Sequence, residues 1–186
     1  MTTNDQGAAG FAAASGPPAG DLGGPQSARI YDYLLGGKDN YPPDRAVGDA
    51  LIRQVPALPV MVRAQRAFLA RAVRYLVGEA GVRQFLDIGT GIPTADNVHE
   101  VAQSLAPECR VLYVDNDPIV LAHARALMTS TPQGSTAFVM ADIRDTDAVL
   151  GDPKVAATLD RDRPIALMLL GTGLAAYTPS GARRRF

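Results

Sequence analysis

From Val82 onward the sequence alternates between short apolar runs and longer amphipathic segments, and this alternation restricts the fold more than any other feature. The apolar runs are Arg83 to Ile88, Arg110 to Asp115, Thr136 to Ala141 and Pro164 to Leu170. Between the first two, Thr94 to Leu105 sets Val98, Val101, Ala102 and Leu105 on one helical face. The next intervening segment opens with Asp117-Pro118, a capping residue and a first-turn proline, and carries Val120, Leu121, Ala124, Leu127 and Met128. Asp145 to Thr158 reads as short helix broken at Pro153. Strands that alternate with helices join by right-handed crossovers into a parallel sheet covered on both faces. The expected class is α/β, with about four strands in the order 3-2-1-4.

The chain before Val82 is different. Residues 1 to 26 are mostly Gly, Ala, Pro, Ser and Thr, too poor in apolar groups to offset the entropy of ordering, and are expected to be disordered. Residues 27–81 are expected to be helical. Ser27 caps a short helix, Ala28 to Leu35, with Ile30, Tyr33 and Leu34 on one face. Gly36-Gly37 ends it and a polar loop follows, Lys38-Asp39-Asn40-Tyr41-Pro42-Pro43. Two readings of that loop stand side by side: a helix stop followed by a turn, or a lid over a ligand carried by Lys38, Asp39 and Asn40. A second helix runs from Asp44 to Gln54, and a third from near Pro59 to about Val77. On the third, Met61, Phe68, Leu69, Ala72, Tyr75 and Leu76 form the expected core face. Arg63, Arg66, Arg71 and Arg74 form the solvated one, with room for one substrate-facing arginine among them.

Length and composition set the limits. A chain of 186 residues fits one domain. A net charge of −1 gives no support to a nucleic-acid or anionic-membrane partner. No run reaches the roughly 18 apolar residues of a membrane span. The first residues, Met1 to Gln6, lack the basic start of a secretory signal, and the single Cys109 fits a reducing compartment, so a cytoplasmic location is expected. No metal site is expected.

The chemistry concentrates at the ends of the strands. Phe85, Leu86 and Ile88 make a buried strand that runs into a glycine turn, Gly89-Thr90-Gly91. A ligand there is expected to meet the N-terminus of the following helix. Asp87 would be costly in that strand unless something pairs with it, and a cationic ligand is one such partner. Asp115 lies 28 positions on, at the end of the neighbouring strand, where a carboxylate can accept both hydroxyls of a ribose. Asp142 ends the third strand and can accept from an exocyclic amine, with Asn116 and Ile143 flanking the base. Each acid also has a local reading: Asp115 as the start of the Asp-Asn-Asp-Pro turn, Asp142 as a cap on the next segment. A nicotinamide dinucleotide site would want a third small residue where Thr94 stands, and an apolar one at Asp87. His99 and His123 read as helix-surface residues, and no catalytic residue is assigned.

Leu86-Asp87-Ile88-Gly89-Thr90-Gly91, Tyr113-Val114-Asp115 and Met140-Ala141-Asp142-Ile143-Arg144 resemble the successive cofactor motifs of Rossmann-like S-adenosylmethionine-dependent methyltransferases. Ala28 to Asn40, Asn97-Val98-His99-Glu100 and Val114 to Pro118 resemble, more narrowly, a bacterial family once called a domain of unknown function and now labelled S-adenosyl methyltransferase. The resemblance runs from about Ser27 to Leu170. It implies S-adenosyl-L-methionine as cofactor, with Asp87, Gly89, Thr90 and Gly91 at the methionine end, Asp115 on the ribose, and Asp142 with Ile143 on the adenine. It implies a Rossmann-like domain over 82–170; Pro93 departs from the usual third glycine of the broad motif, which suggests a stiffer turn. Such folds have about seven strands. Four are legible here, and Gly171 to Phe186 carries no strand or helix period, so the sheet is expected to be incomplete at its C-terminus and to self-associate through its uncovered part. Three functions follow: a methyltransferase with an unknown acceptor, a truncated non-catalytic binding remnant, and, disfavoured by Asp87 and Thr94, a nicotinamide-dependent oxidoreductase.

Overall fold

A computed structural model describes residues 24–171 except 95 and 128. The expected disordered start (1–26) and irregular tail (171–186) lie almost wholly outside these residues.

Four parallel strands form the sheet: β1 (Gln84–Ile88), β2 (Arg110–Asp115), β3 (Ser135–Met140) and β4 (Ala166–Met168), in the order β3-β2-β1-β4. The order is the expected one. Val111, Leu112, Tyr113 and Val114 of β2 are each at most 1 % exposed, because this strand has neighbours on both edges and helices on both faces. Burying an aliphatic side chain of this size contributes about 1.5–3 kcal/mol before entropy is counted.

Alternation along the strands divides the core. Phe85, Val111, Tyr113 and Met168 face α3 (Leu58–Gly78) and α4 (Val98–Leu105). Leu112, Val114 and Val139 face α6 (Thr146–Gly151) and α7 (Pro153–Thr158) through Val149 and Val155. α5 (Pro118–Leu127) follows β2, and Asp117 caps it as expected, accepting from the Ile119 amide at 2.8 Å. Cys109, the sole cysteine of the chain, is wholly buried ahead of β2. Burial pushes its thiol up to about 11.

A third cluster joins α1 (Ser27–Leu35), α2 (Pro42–Gln54) and the start of α3 through Ile30, Leu34, Leu51 and Val62. Beneath it a fully buried ion pair links Arg29 Nε to Asp44 at 3.1 Å. The Asp44 carboxylate also accepts from the amides of Gln26 and Tyr41, both at 2.9 Å.

Three expectations change. The helix after the glycine turn starts at Val98 rather than Thr94. Asp96 takes a left-handed φ of 61°, which no helix can pass through, and Asn97 with Glu100 forms a capping box at the true start. On α3 the buried row is Val62, Leu69, Ala70, Val73 and Val77, while Met61, Phe68 and Tyr75 are 56 %, 50 % and 63 % exposed. Two apolar rows run one residue apart along this helix, and the slimmer, valine-rich row is the one that packs. β4 is only three residues long where the run from Pro164 to Leu170 was expected, and its Leu167 is 57 % exposed.

Candidate cofactor site

The turn after β1 is fixed by the neighbouring strand. Gly89 N–H donates to Val114 O at 2.8 Å, and Gly91 N–H to the Asp115 carboxylate at 2.8 Å. Both glycines have positive φ, 74° and 67°, a region that disfavours any side chain. A Cβ added to Gly91 would meet no protein atom within 4 Å, so the space beside this turn is cavity rather than packing.

That cavity, of about 180 Å³, opens at the carboxyl edge of the sheet, where ligands bind in folds of this kind. One wall is the sheet edge. Asp87, Gly89, Thr90 and Gly91 come from the end of β1, Asp115 and Asn116 from β2, and Ile143 from beyond β3. These are seven of the eight cofactor contacts expected from the sequence. The eighth, Asp142, is not in the lining, although its neighbours Ala141 and Ile143 are. Its carboxylate is held by Arg144, through the backbone amide and Nε, both at 2.9 Å, and through Nη2. Those bonds hold its carboxyl well below the ordinary range.

Burial dominates the electrostatics of the other two acids. Asp87 is 6 % exposed, and its carboxyl is pushed up to about 7 by desolvation. The Arg66 guanidinium opposes that rise and the Asp115 charge adds to it. Asp115 is also raised by burial, against the backbone amides that hold it down. Its two oxygens accept from Gly91 and Asp117 N–H, at 2.8 and 3.0 Å. A carboxylate has about four acceptor positions, so these bonds leave capacity for ligand hydroxyls.

Opposite the sheet edge, the helical segment supplies a second wall: Ser27, Ala28 and Tyr31 from α1, and Gln65, Arg66 and Leu69 from α3. Tyr31 ties the two helices together by donating to Gln65 Oε1 at 3.0 Å. Lys38, Asp39 and Asn40 are outside the lining. Asp39 and Asn40 are gathered instead on Asp32, whose carboxylate accepts from the Asp39 amide at 2.9 Å and from Asn40 Nδ2 at 2.8 Å. A Cβ at Gly37 would lie 2.0 Å from that carboxylate, which is why glycine stands there.

The sequence pattern of the S-adenosyl methyltransferase family matches residues 15–174. The chain belongs to this family. Among solved structures it is similar to a DUF574-family protein from Streptomyces avermitilis MA-4680, at 58 % identity and a TM-score of 0.76 over 79 % of this chain and 56 % of that one. It is also similar to a candidate methyltransferase from Thermobifida fusca YX, at 47 % identity and a TM-score of 0.77 over 85 % of this chain and 59 % of that one. The chain thus spans under two thirds of the length of either protein. No curated protein matches it. Among the described residues, no helix is long and apolar enough to cross a membrane.

Within this member of the family, sequence reasoning missed most of the helical wall. Arg66 was one of four arginines on an expected solvated face, and only packing sets it apart. His99 needs correction: it is 2 % exposed, not on the surface. Its backbone N–H donates to the Tyr113 hydroxyl at 2.9 Å and its Nδ1 lies 2.8 Å from the same oxygen. Burial lowers the His99 pKa and raises that of Tyr113, in keeping with two neutral groups. Of the described residues between the turn and α4, 92–94 and 96–98 are not in the cavity lining, and the capping box occupies the α4 terminus.

Proposed function

We propose that the cavity binds S-adenosyl-L-methionine and that the chain serves methyl transfer to an acceptor not yet identified. The observation that carries this is Asp87, a carboxylate buried in the cavity wall beside a glycine turn, where a cationic ligand head stabilises its ionised form. The turn fits the methionine end, Asp115 the ribose, and the apolar Ile143 and Ala141 the base. The bound cofactor would supply an electrophilic methyl group on a sulfonium. The residues of this chain would orient it and keep water from it; alignment alone accounts for much of such a transfer. Asp142 would act on the adenine from the rim, once its bonds to Arg144 rearrange. The loop of Lys38, Asp39 and Asn40 would act as a lid through α1, to which Asp32 ties it. A cytoplasmic location belongs to the same reading, as does self-association along β4, where Leu167 and Leu169 are 57 % and 47 % exposed.

Calorimetry with S-adenosylhomocysteine and NAD tests the assignment. Binding of the first and not the second is expected, and the reverse would overturn it. Turnover against a panel of acceptors then separates a transferase from a binding module.

A further inference from the structure

The helical wall does more than close the cavity. Arg66, on α3, lines it together with Asp87 near the end of β1. The guanidinium is oriented by a bond from Nη2 to Asp96 O at 3.2 Å, in the segment that follows the glycine turn. It lines the cavity together with Tyr31 of α1, Asp87 of β1 and Asp115 of β2, and its charge opposes the rise that burial imposes on the Asp87 carboxyl. The cavity therefore presents a cationic and an anionic group from two different structural layers. A planar guanidinium offers five N–H donors in a fork that matches a carboxylate, and a buried carboxylate suits an ammonium. Two groups of opposite sign on one small cavity complement a ligand that carries both signs on adjacent atoms.

We propose that Arg66 anchors the carboxylate of the ligand's amino-acid end while Asp87 holds its ammonium, so that the site selects an α-amino-acid zwitterion. This rests on the S-adenosyl-L-methionine reading and adds to it a specificity-determining residue on the helical segment. It also makes 27–81 part of the binding site itself rather than only a cover for it.

S-Adenosylmethionine and its decarboxylated analogue separate the two ideas, because they differ only in the carboxylate. The full chain is titrated with each, as wild type, Arg66→Gln and Asp87→Asn. Wild type is expected to prefer the carboxylated ligand by at least about tenfold, the value of one charge-assisted contact. Arg66→Gln should bring the two affinities to within about twofold while leaving the decarboxylated ligand nearly unaffected, which also shows that the variant is folded. Asp87→Asn should weaken both ligands and keep the preference between them. A wild type without preference, or an Arg66→Gln that keeps it or weakens both ligands alike, overturns the proposal and leaves the cofactor assignment intact. A wild type that binds neither ligand overturns both.

Discussion

Asp44 and Asp87 are carboxylates withdrawn from water in two different layers, at 0 % and 6 % exposure. The helical layer surrounds Asp44 with its own chain: the Arg29 guanidinium and the amides of Gln26 and Tyr41. The sheet edge gives Asp87 no comparable cradle. It has the distant help of Arg66, the hindrance of Asp115, and a carboxyl raised to about 7. The first acid is completed by folding. On the proposed reading, the second is completed by a cationic ligand that enters the cavity. Buried acid in one region is architecture, and in the other it is the group that the proposed ligand would pair with.

The comparison breaks most directly at Arg29. Removing one partner of a buried ion pair costs about 3–5 kcal/mol, because the remaining charge is left without compensation. Arg29→Ala should lose that much in urea unfolding, and a loss below about 1 kcal/mol would show that Asp44 does not depend on its partner.

Asp87 should show itself through pH. Its folded pKa is raised from 3.8 to about 7, so between those values the folded chain holds a proton that the unfolded chain has released. This contribution to stability is complete below about pH 4 and is lost as pH rises through 7, by on the order of 4 kcal/mol at most. The charged and titratable groups acting on it are Arg66, Asp115 and Tyr113. Ligand-free wild type should therefore weaken from pH 5 to 8, and Asp87→Asn should flatten that slope. Identical profiles for the two would remove Asp87 from its special position.

A smaller effect is expected at Asp115. Asp115→Ala removes the acceptor that locks Gly91, together with the proposed ribose contacts, and charged hydrogen bonds are worth about 1.5–3 kcal/mol each. Affinity for S-adenosylhomocysteine should fall at least about tenfold by calorimetry. Unchanged affinity in a folded variant would refute the ribose role.

The slightest effect concerns the loop at 36–41. Hydrogen exchange should slow most in residues 27–31 and 65–69 when cofactor binds, with weaker protection over 36–41. Protection strongest in the loop would mean that it closes over the cavity directly. None at all there would end the lid reading.

The contrast between the layers also explains what the sequence could and could not tell. β2 and its neighbours were legible because a strand buried on both faces must be an unbroken apolar run, and the strand order followed from the alternation. The three acids were legible because each interrupts or ends such a run: Asp87 near the end of β1, Asp115 at the end of β2 and Asp142 just past β3. Arg66, Tyr31 and Gln65 were not. Their function depends on how α1 and α3 dock, and nothing local separates Arg66 from Arg63, Arg71 or Arg74. The α3 face was misjudged because Met61, Phe68 and Tyr75 outweigh the valines in bulk, whereas packing rewards fit. The Arg29–Asp44 pair left one faint signal, an acid three residues after Tyr41 at a helix start.

Cys109 supplies a clock. Its thiol is wholly enclosed and hard to ionise, so an alkylating reagent cannot reach it in the closed chain. It lies between the end of α4 and the start of β2, with its carbonyl accepting from Gln103 and Ser135. Labelling must wait until those elements part, and since the chain has no second cysteine, every reacted thiol records the same event. This chain thus carries a single built-in probe of how often its central layer opens, without any engineered tag.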